Sequence, residues 1–323
     1  MGFVTRGLLA ACATLWLAVA AAQQNYPTRP IRLIVPFPAG DSADLMARAM
    51  EPVLTERLRH PVIVENRPGA AGSAGMDAVA KSAPDGYTMG LGTAGNLAAN
   101  VTFYPKLPYD PLQHLEPVSS IAFIPYLLVA PPQLPARTLE DVIALARAKP
   151  AELLIGYGGN GTAMHLSAEL FKLMAKVQMV NVPYKGSAPV VADAAAGRLS
   201  LAMVDAASAL ASVKAGKLNA IAVSSAHRIS VAPEVPTFVE SGLPAYAATG
   251  WFGIVVPAKT PANIVLRLNA EIVEALKRAE VRDRILAAGA EPAPGTPSEF
   301  GALIRAEILK WAEVIRASGA RPD

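Results

Sequence analysis

Ile31-Arg32-Leu33-Ile34-Val35-Pro36-Phe37-Pro38-Ala39-Gly40-Asp41-Ser42-Ala43-Asp44 is the stretch from which the architecture follows. Its apolar start, Ile31–Val35, reads as a buried strand. The Pro/Gly turn after it ends the strand, and apolar residues at helical spacing over residues 45–58 read as an amphipathic helix. A strand that enters a helix through a short turn leaves unpaired backbone N–H groups at the helix start, here beside the Ser42 hydroxyl. Such an end accommodates an anionic group. The plainer role is that Asp41 or Ser42 caps the helix, with Asp44 near the third position; a capped end still has N–H groups to offer.

The same strand–turn–helix unit recurs outward from this stretch. Short apolar runs over residues 62–65, 87–92, 121–129, 153–157, 179–182, 199–204, 219–224 and 252–256 read as strands, and helices follow most of them. Thr138-Leu139-Glu140-Asp141 opens one helix as a capping box. Thr260-Pro261 starts another with proline at its first position, and Thr296-Pro297-Ser298-Glu299 combines both signals. Repeated alternation of this kind predicts an α/β protein with largely parallel sheets.

Ahead of the first strand, residues 1–22 read as an export signal: Arg6 is basic, an apolar run follows, and Ala20-Ala21-Ala22 forms a small-residue cleavage site. Leu9-Ala10-Ala11-Cys12 resembles a lipoprotein box. However, Arg6 lies too close to Cys12, and the apolar run continues past it, which favours a soluble mature chain from about Gln23. Cys12 is the only cysteine, so a chain cut there has no disulfide, thiolate metal site or cysteine nucleophile. Removing Arg6 takes the formal net charge from +3 to +2, and no basic run interleaves with aromatics, so nothing points to nucleic acid. The roughly 300 remaining residues suit two lobes better than one.

Gly40-Asp41-Ser42 also fits the nucleophile block of an SGNH-type serine hydrolase. That chemistry needs a late histidine with an aspartate three residues before it. The four histidines, His60, His114, His165 and His227, are preceded at that spacing by Arg57, Pro111, Thr162 and Ser224, so Ser42 lacks its base. Gly156-Tyr157-Gly158-Gly159-Asn160-Gly161-Thr162 contains a literal G-x-G-x-x-G, but no acidic residue ends the next strand, as a dinucleotide site would require. It reads better as a second backbone nest at a helix start, with Asn160 and Thr162 as donors. His165, one turn in, either caps, packs or touches ligand. Thr93, in the loop Gly92-Thr93-Ala94-Gly95-Asn96, the loop Pro183-Tyr184-Lys185-Gly186-Ser187, and Asp205 complete a set of features expected at strand C-termini, where open α/β sheets bind ligands. No metal-ligating pattern or cofactor fingerprint is indicated.

Taken in order, Tyr26-Pro27-Thr28-Arg29-Pro30-Ile31, Val35-Pro36-Phe37-Pro38-Ala39-Gly40, Val64-Glu65-Asn66-Arg67-Pro68-Gly69-Ala70, Pro84-Asp85-Gly86-Tyr87-Thr88, Val182-Pro183-Tyr184-Lys185-Gly186, Val235-Pro236-Thr237-Phe238 and Trp251-Phe252-Gly253 resemble the Bug-type extracytoplasmic solute receptors of tripartite tricarboxylate transporters. The resemblance covers essentially the whole chain after the signal. It implies an α/β, two-lobed periplasmic-binding-protein (type II) fold, with a mostly parallel sheet in each lobe and a ligand cleft between them. Lobe 1 is expected from residues 23–122 plus 250–323, and lobe 2 from residues 123–249. It further implies a periplasmic, non-catalytic monomer that captures a small organic acid and delivers it to the membrane subunits of the transporter. Carried over residue by residue, the ligand-binding set is Phe37, Ala39, Gly40, Ser42 and Thr93 on one lobe, with Asn160, Gly161, Thr162, His165 and Asp205 on the other; Asp41, between Gly40 and Ser42, is added as a candidate of this chain's own. Asp41 departs from the family pattern, which usually has a second glycine there. It either caps the helix or accepts a hydrogen bond from an amine or hydroxyl on the ligand.

Overall fold

The computed structural model describes residues 26–322, so the expected export signal lies outside the described residues. Two mixed sheets, each flanked by helices, organise the chain. The first contains six strands: β1 (Ile31–Val35), β2 (Val62–Asn66), β3 (Thr88–Thr93), β4 (Leu115–Ile124), β10 (Gly250–Pro257) and β11 (Glu291–Pro292), in the order β11-β4-β10-β3-β1-β2. The second contains β5 (Tyr126–Ala130), β6 (Leu154–Tyr157), β7 (Val180–Pro183), β8 (Leu201–Asp205) and β9 (Asn219–Val223), in the order β7-β6-β8-β5-β9.

The expectation of largely parallel sheets holds for β2-β1-β3 and for β7-β6-β8. One long strand in each sheet is reversed. β10 runs antiparallel to both β3 and β4, and β5 runs antiparallel to both β8 and β9. These are the strands at which the chain passes from one sheet to the other. The apolar run over residues 121–129, read as a single strand, is in fact the end of β4 and all but the last residue of β5. Pro125 divides it, because proline cannot donate to a ladder and marks a strand end. Ile124 still pairs with Gly250 in the first sheet, whereas Tyr126 pairs with Asp205 in the second.

The helices form where the caps direct. Helix α1 (Ser42–Leu58) starts three residues earlier than its apolar periodicity suggested, because Asp41 accepts a hydrogen bond from the Ala43 amide. The π-helical turn Gly95–Ala99 and α3 (Asn100–Phe103) follow β3, after α2 (Ser73–Ala80). Both capping boxes are made: Thr138 with Asp141 at α4 (Leu139–Ala148), and Thr296 with Glu299 at α10 (Pro297–Ser318). Pro261 stands at the cap of α8 (Ala262–Lys277) rather than in its first turn. Helices α5 (Ala163–Ala175), α6 (Ser187–Ala195) and α7 (Ala206–Lys214) flank the second sheet, and α9 (Ala279–Ala287) lies beside α1. α10 packs against β4 and also against α5, so the last helix touches elements beside both sheets. Among the described residues no helix is long and apolar enough to cross a membrane.

Candidate ligand-binding site

A cavity of ≈ 710 Å³ opens where the strand ends of the two sheets face each other. Its volume suits a small molecule. The loops after β1, β2 and β3 line it from one sheet, and those after β6, β7 and β8 from the other. The carboxyl ends of parallel strands therefore supply most of the wall, as open α/β sheets do.

Asp44 holds the loop after β1. It is 2% exposed and accepts hydrogen bonds from the Gly40 amide, Arg48 Nε and Asn66 Nδ2, each at 2.9 Å. Asn66 Nδ2 also donates to the Phe37 carbonyl at 3.0 Å, which ties the turn to the end of β2. Burial pushes the Asp44 carboxyl up, but the bonds from Arg48, Gly40 and Asn66 outweigh it and hold the group below the usual carboxylate range. Phe37, Asp41 and Ser42 are left half-buried on the cavity wall. Asp41 caps α1 through Oδ1, which accepts from Ala43 N at 3.2 Å and from Ser42 Oγ at 3.4 Å. It faces the cavity at the same time, so capping and cleft exposure are combined rather than exclusive. Burial raises its carboxyl, and the neighbouring charges of Asp205 and Asp44 raise it further.

On the opposite wall, Thr162 caps α5, and its hydroxyl donates to the Gly159 carbonyl at 2.7 Å, which closes the glycine-rich loop on itself. His165 lies behind this loop. Its Nδ1 accepts from the Gly161 amide at 3.2 Å, which leaves Nε2 to carry the proton 3.5 Å from Glu169 Oε1. Its ring stacks on Tyr157 at 4.5 Å between centroids and meets the edge of Phe103 at 5.8 Å. Burial pushes Glu169 up, but hydrogen bonds from His165 and Lys172, the Lys172 charge and Asn181 overcome it and bring the group down to about 2.

Beyond that loop, the amides of Gly158, Lys185 and Gly186 make no hydrogen bond among the described residues, and all three residues line the cavity. With the Lys185 ammonium and the start of α6, they form a surface that accepts negative charge. Asp205, at the end of β8, caps α7 by accepting from Ser208 N at 2.9 Å and from Ser208 Oγ at 2.8 Å.

The profile of the tripartite tricarboxylate transporter family receptor matches residues 46–320. This chain belongs to that family. BugT of Bordetella pertussis (strain Tohama I) is 39% identical over 310 residues, which span 96% of this chain and 95% of that protein. Among solved structures, R. palustris Rpa4515 with adipate has a TM-score of 0.84 at 36% identity, covering 92% of this chain and 100% of that one. MatC from Rhodopseudomonas palustris with bound malate has a TM-score of 0.80 at 31% identity, covering 90% of this chain and 100% of that one.

Of the candidate ligand-binding residues, Phe37, Asp41, Ser42, Thr93, Asn160, Thr162 and Asp205 meet on one cavity. Ala39, Gly40, Gly161 and His165 do not line it. The Gly40 amide is taken by Asp44. Gly161 is buried with φ +74°, and a Cβ built there would meet the Phe103 ring at 2.8 Å. His165 is 2% exposed beneath the loop and acts on it from behind. The hydrolase alternative for Ser42 finds no support in a receptor family, and no histidine lines the cavity around this serine. Sequence reasoning missed Tyr126 and the turn Pro68–Gly72, both of which line the cavity. Arg67-Pro68-Gly69 after a predicted strand was a usable signal for the turn. Tyr126 follows Pro125 within an apolar stretch read as a single strand.

Proposed function

We propose that this chain is a periplasmic receptor that clamps a small organic carboxylate between two lobes and presents it to the membrane subunits of a tripartite transporter. The observation that carries this reading is the cavity itself. Loops from the strand ends of two sheets line one small-molecule volume, in a chain of the tricarboxylate receptor family. Two solved relatives hold adipate and malate, both dicarboxylates. The free amides of Gly158, Lys185 and Gly186 and the Lys185 ammonium supply the donors that a carboxylate needs.

In this reading Phe37, Ser42 and Thr93 contact the ligand from one lobe, and Asn160, Thr162 and Asp205 from the other. Ala39, Gly40, Gly161 and His165 shape the two loops without touching it. The lobes follow the sheets, with the chain crossing at Pro125 and returning just before Gly250. Closure is a hinge motion at those two crossings. The receptor acts as an exported monomer, its signal is removed near Ala22, and it has no catalytic step.

A thermal-shift screen of the purified mature chain tests the assignment. Adipate, malate, aromatic acids, amino acids and nicotinate-like compounds form the panel. A ligand at about 100 times its Kd adds about 2.7 kcal/mol to stability. At least one carboxylate is expected to raise Tm, and a panel without any response defeats the reading.

A further inference from the structure

Two carboxylates enter this cavity from opposite sheets, and the described residues provide no cation for either. Asp41 and Asp205 both line it, and neither has a Lys, Arg or His nitrogen within ion-pairing distance. Each spends Oδ1 on capping its own helix, Asp41 at Ala43 and Asp205 at Ser208. Each leaves Oδ2 without a hydrogen bond among the described residues. Asp205 is only 6% exposed, so its spare oxygen is fixed in the wall rather than free in solvent.

Tyr126 is an independent observation at the same corner. It is the register partner of Asp205 on the next strand, is 6% exposed and lines the cavity. Its hydroxyl makes no hydrogen bond among the described residues. Burial and the Asp205 charge push its phenol up, so it stays a protonated, neutral group able to orient a polar ligand atom. The remaining charges nearby do not neutralise the pair. Asp44 is already matched by Arg48 at 2.9 Å. Lys185 lies on the loop after β7, two strand positions from β8 in the order β7-β6-β8, which is roughly 10 Å away at ordinary strand spacing.

We propose that Asp41, Asp205 and Tyr126 form an ammonium-accepting corner, so that this receptor prefers carboxylates that also carry a protonated amine. The inference rests on the carboxylate-receptor reading and narrows it. The ligand's carboxylate faces the free amides of the loops after β6 and β7, and its ammonium supplies the positive charge that the Asp41–Asp205 corner lacks. A second carboxylate placed in that corner meets like charge from both sides. Asp41 is the distinctive element, because the family pattern usually places a glycine there.

Isothermal titration calorimetry at pH 7.5 with matched ligand pairs tests the proposal: glutamate against glutarate, aspartate against succinate, and 5-aminopentanoate against pentanoate. Wild type is expected to bind the amine-bearing member of at least one pair 10-fold or more tighter. Asp41→Asn retains a good N-cap, so the fold is kept while the charge is removed. That variant is expected to erase most of the preference through loss of the amine-bearing ligand, not of its partner. Preference for the des-amino members, or an unchanged ratio in Asp41→Asn, overturns the proposal and leaves the receptor reading standing. Tighter des-amino binding at pH 5.5 than at 7.5 would also overturn it, since Asp41 would then act as a protonated donor to a carboxylate. Binding of none of the six compounds, together with a silent thermal-shift panel, overturns both.

Discussion

The hydroxyl of Tyr126 occupies the space that a side chain on Gly250 would need: a Cβ built at Gly250 would stand 2.0 Å from that oxygen and 2.6 Å from the ring carbon bearing it. Tyr126 opens β5 and Gly250 opens β10, so the contact joins the two sheets where the chain passes between them. Gly250→Ala forces the ring away from the cavity wall. Overpacking of this kind costs about 1–3 kcal/mol. Thermal melting of the variant is expected to show a lower Tm, and calorimetry a weaker ligand. A variant that melts with wild type would mean the ring moves aside at no cost.

Asp44 is expected to matter more than its neighbour Ser42. Replacing it with alanine leaves the Gly40 amide without its acceptor, and Asn66 Nδ2 keeps only the Phe37 carbonyl. Losing a buried, charged acceptor costs on the order of 1.5–3 kcal/mol. Urea titration should show Asp44→Ala unfolding at lower denaturant with an unchanged slope. Ser42→Ala should unfold within error of wild type.

The Glu169 cluster predicts a defined acid sensitivity. Glu169 titrates near 4.5 when unfolded and is held down to about 2 in the fold by His165, Lys172 and Asn181. A depressed carboxylate contributes stability that is complete above its unfolded value and lost as pH falls through the folded one. The contribution is therefore full above about pH 4.5 and disappears toward pH 2. It amounts to on the order of 3 kcal/mol at most. Stability measured against pH should fall in that window for wild type and be flatter there for Glu169→Gln. Parallel curves would refute the assignment.

Thr162 links helix capping to the cavity wall. Thr162→Ala removes the acceptor for the His165 amide and the donor to the Gly159 carbonyl. Loss of such a cap costs about 1 kcal/mol. Because Gly159 and Asn160 line the cavity, ligand affinity should drop alongside stability, and Thr162→Ser should restore both. Affinity unchanged in Thr162→Ala would show that the loop keeps its shape without this tie.

The elements that sequence pattern located best are those whose signals are local. Ile31–Val35 is a strand with the limits read from its apolar run, and Thr138 and Thr296 build the boxes their spacing promised. Errors arose where long-range packing decides. Residues 121–129 are buried in both β4 and β5 apart from Phe123, so no alternation betrayed the change of sheet, and Pro125 was the sole local mark. His165 sits one turn into α5, as would a ligand contact, but the positive φ of Gly161 turns the loop so that its amide meets the imidazole from the front. The place of Tyr126 on the cavity wall beside Asp205 depends on strand register, which only strand pairing reveals.

The central position of β10 in the first sheet, between β3 and β4, has a consequence for how the chain acquires its shape as it emerges in order. The strands of the second sheet, Tyr126 to Val223, are contiguous and can pair as soon as they are available. The first sheet cannot, because the strand separating β3 from β4 lies more than a hundred residues later in the chain. Until Gly250–Pro257 arrives, β3 and β4 each present an apolar, unpaired edge, the feature that draws strands of other chains into aggregates. The interval between the emergence of Ile124 and that of Pro257 is thus when these edges are open to strands of other chains, and the arrival of one strand closes them.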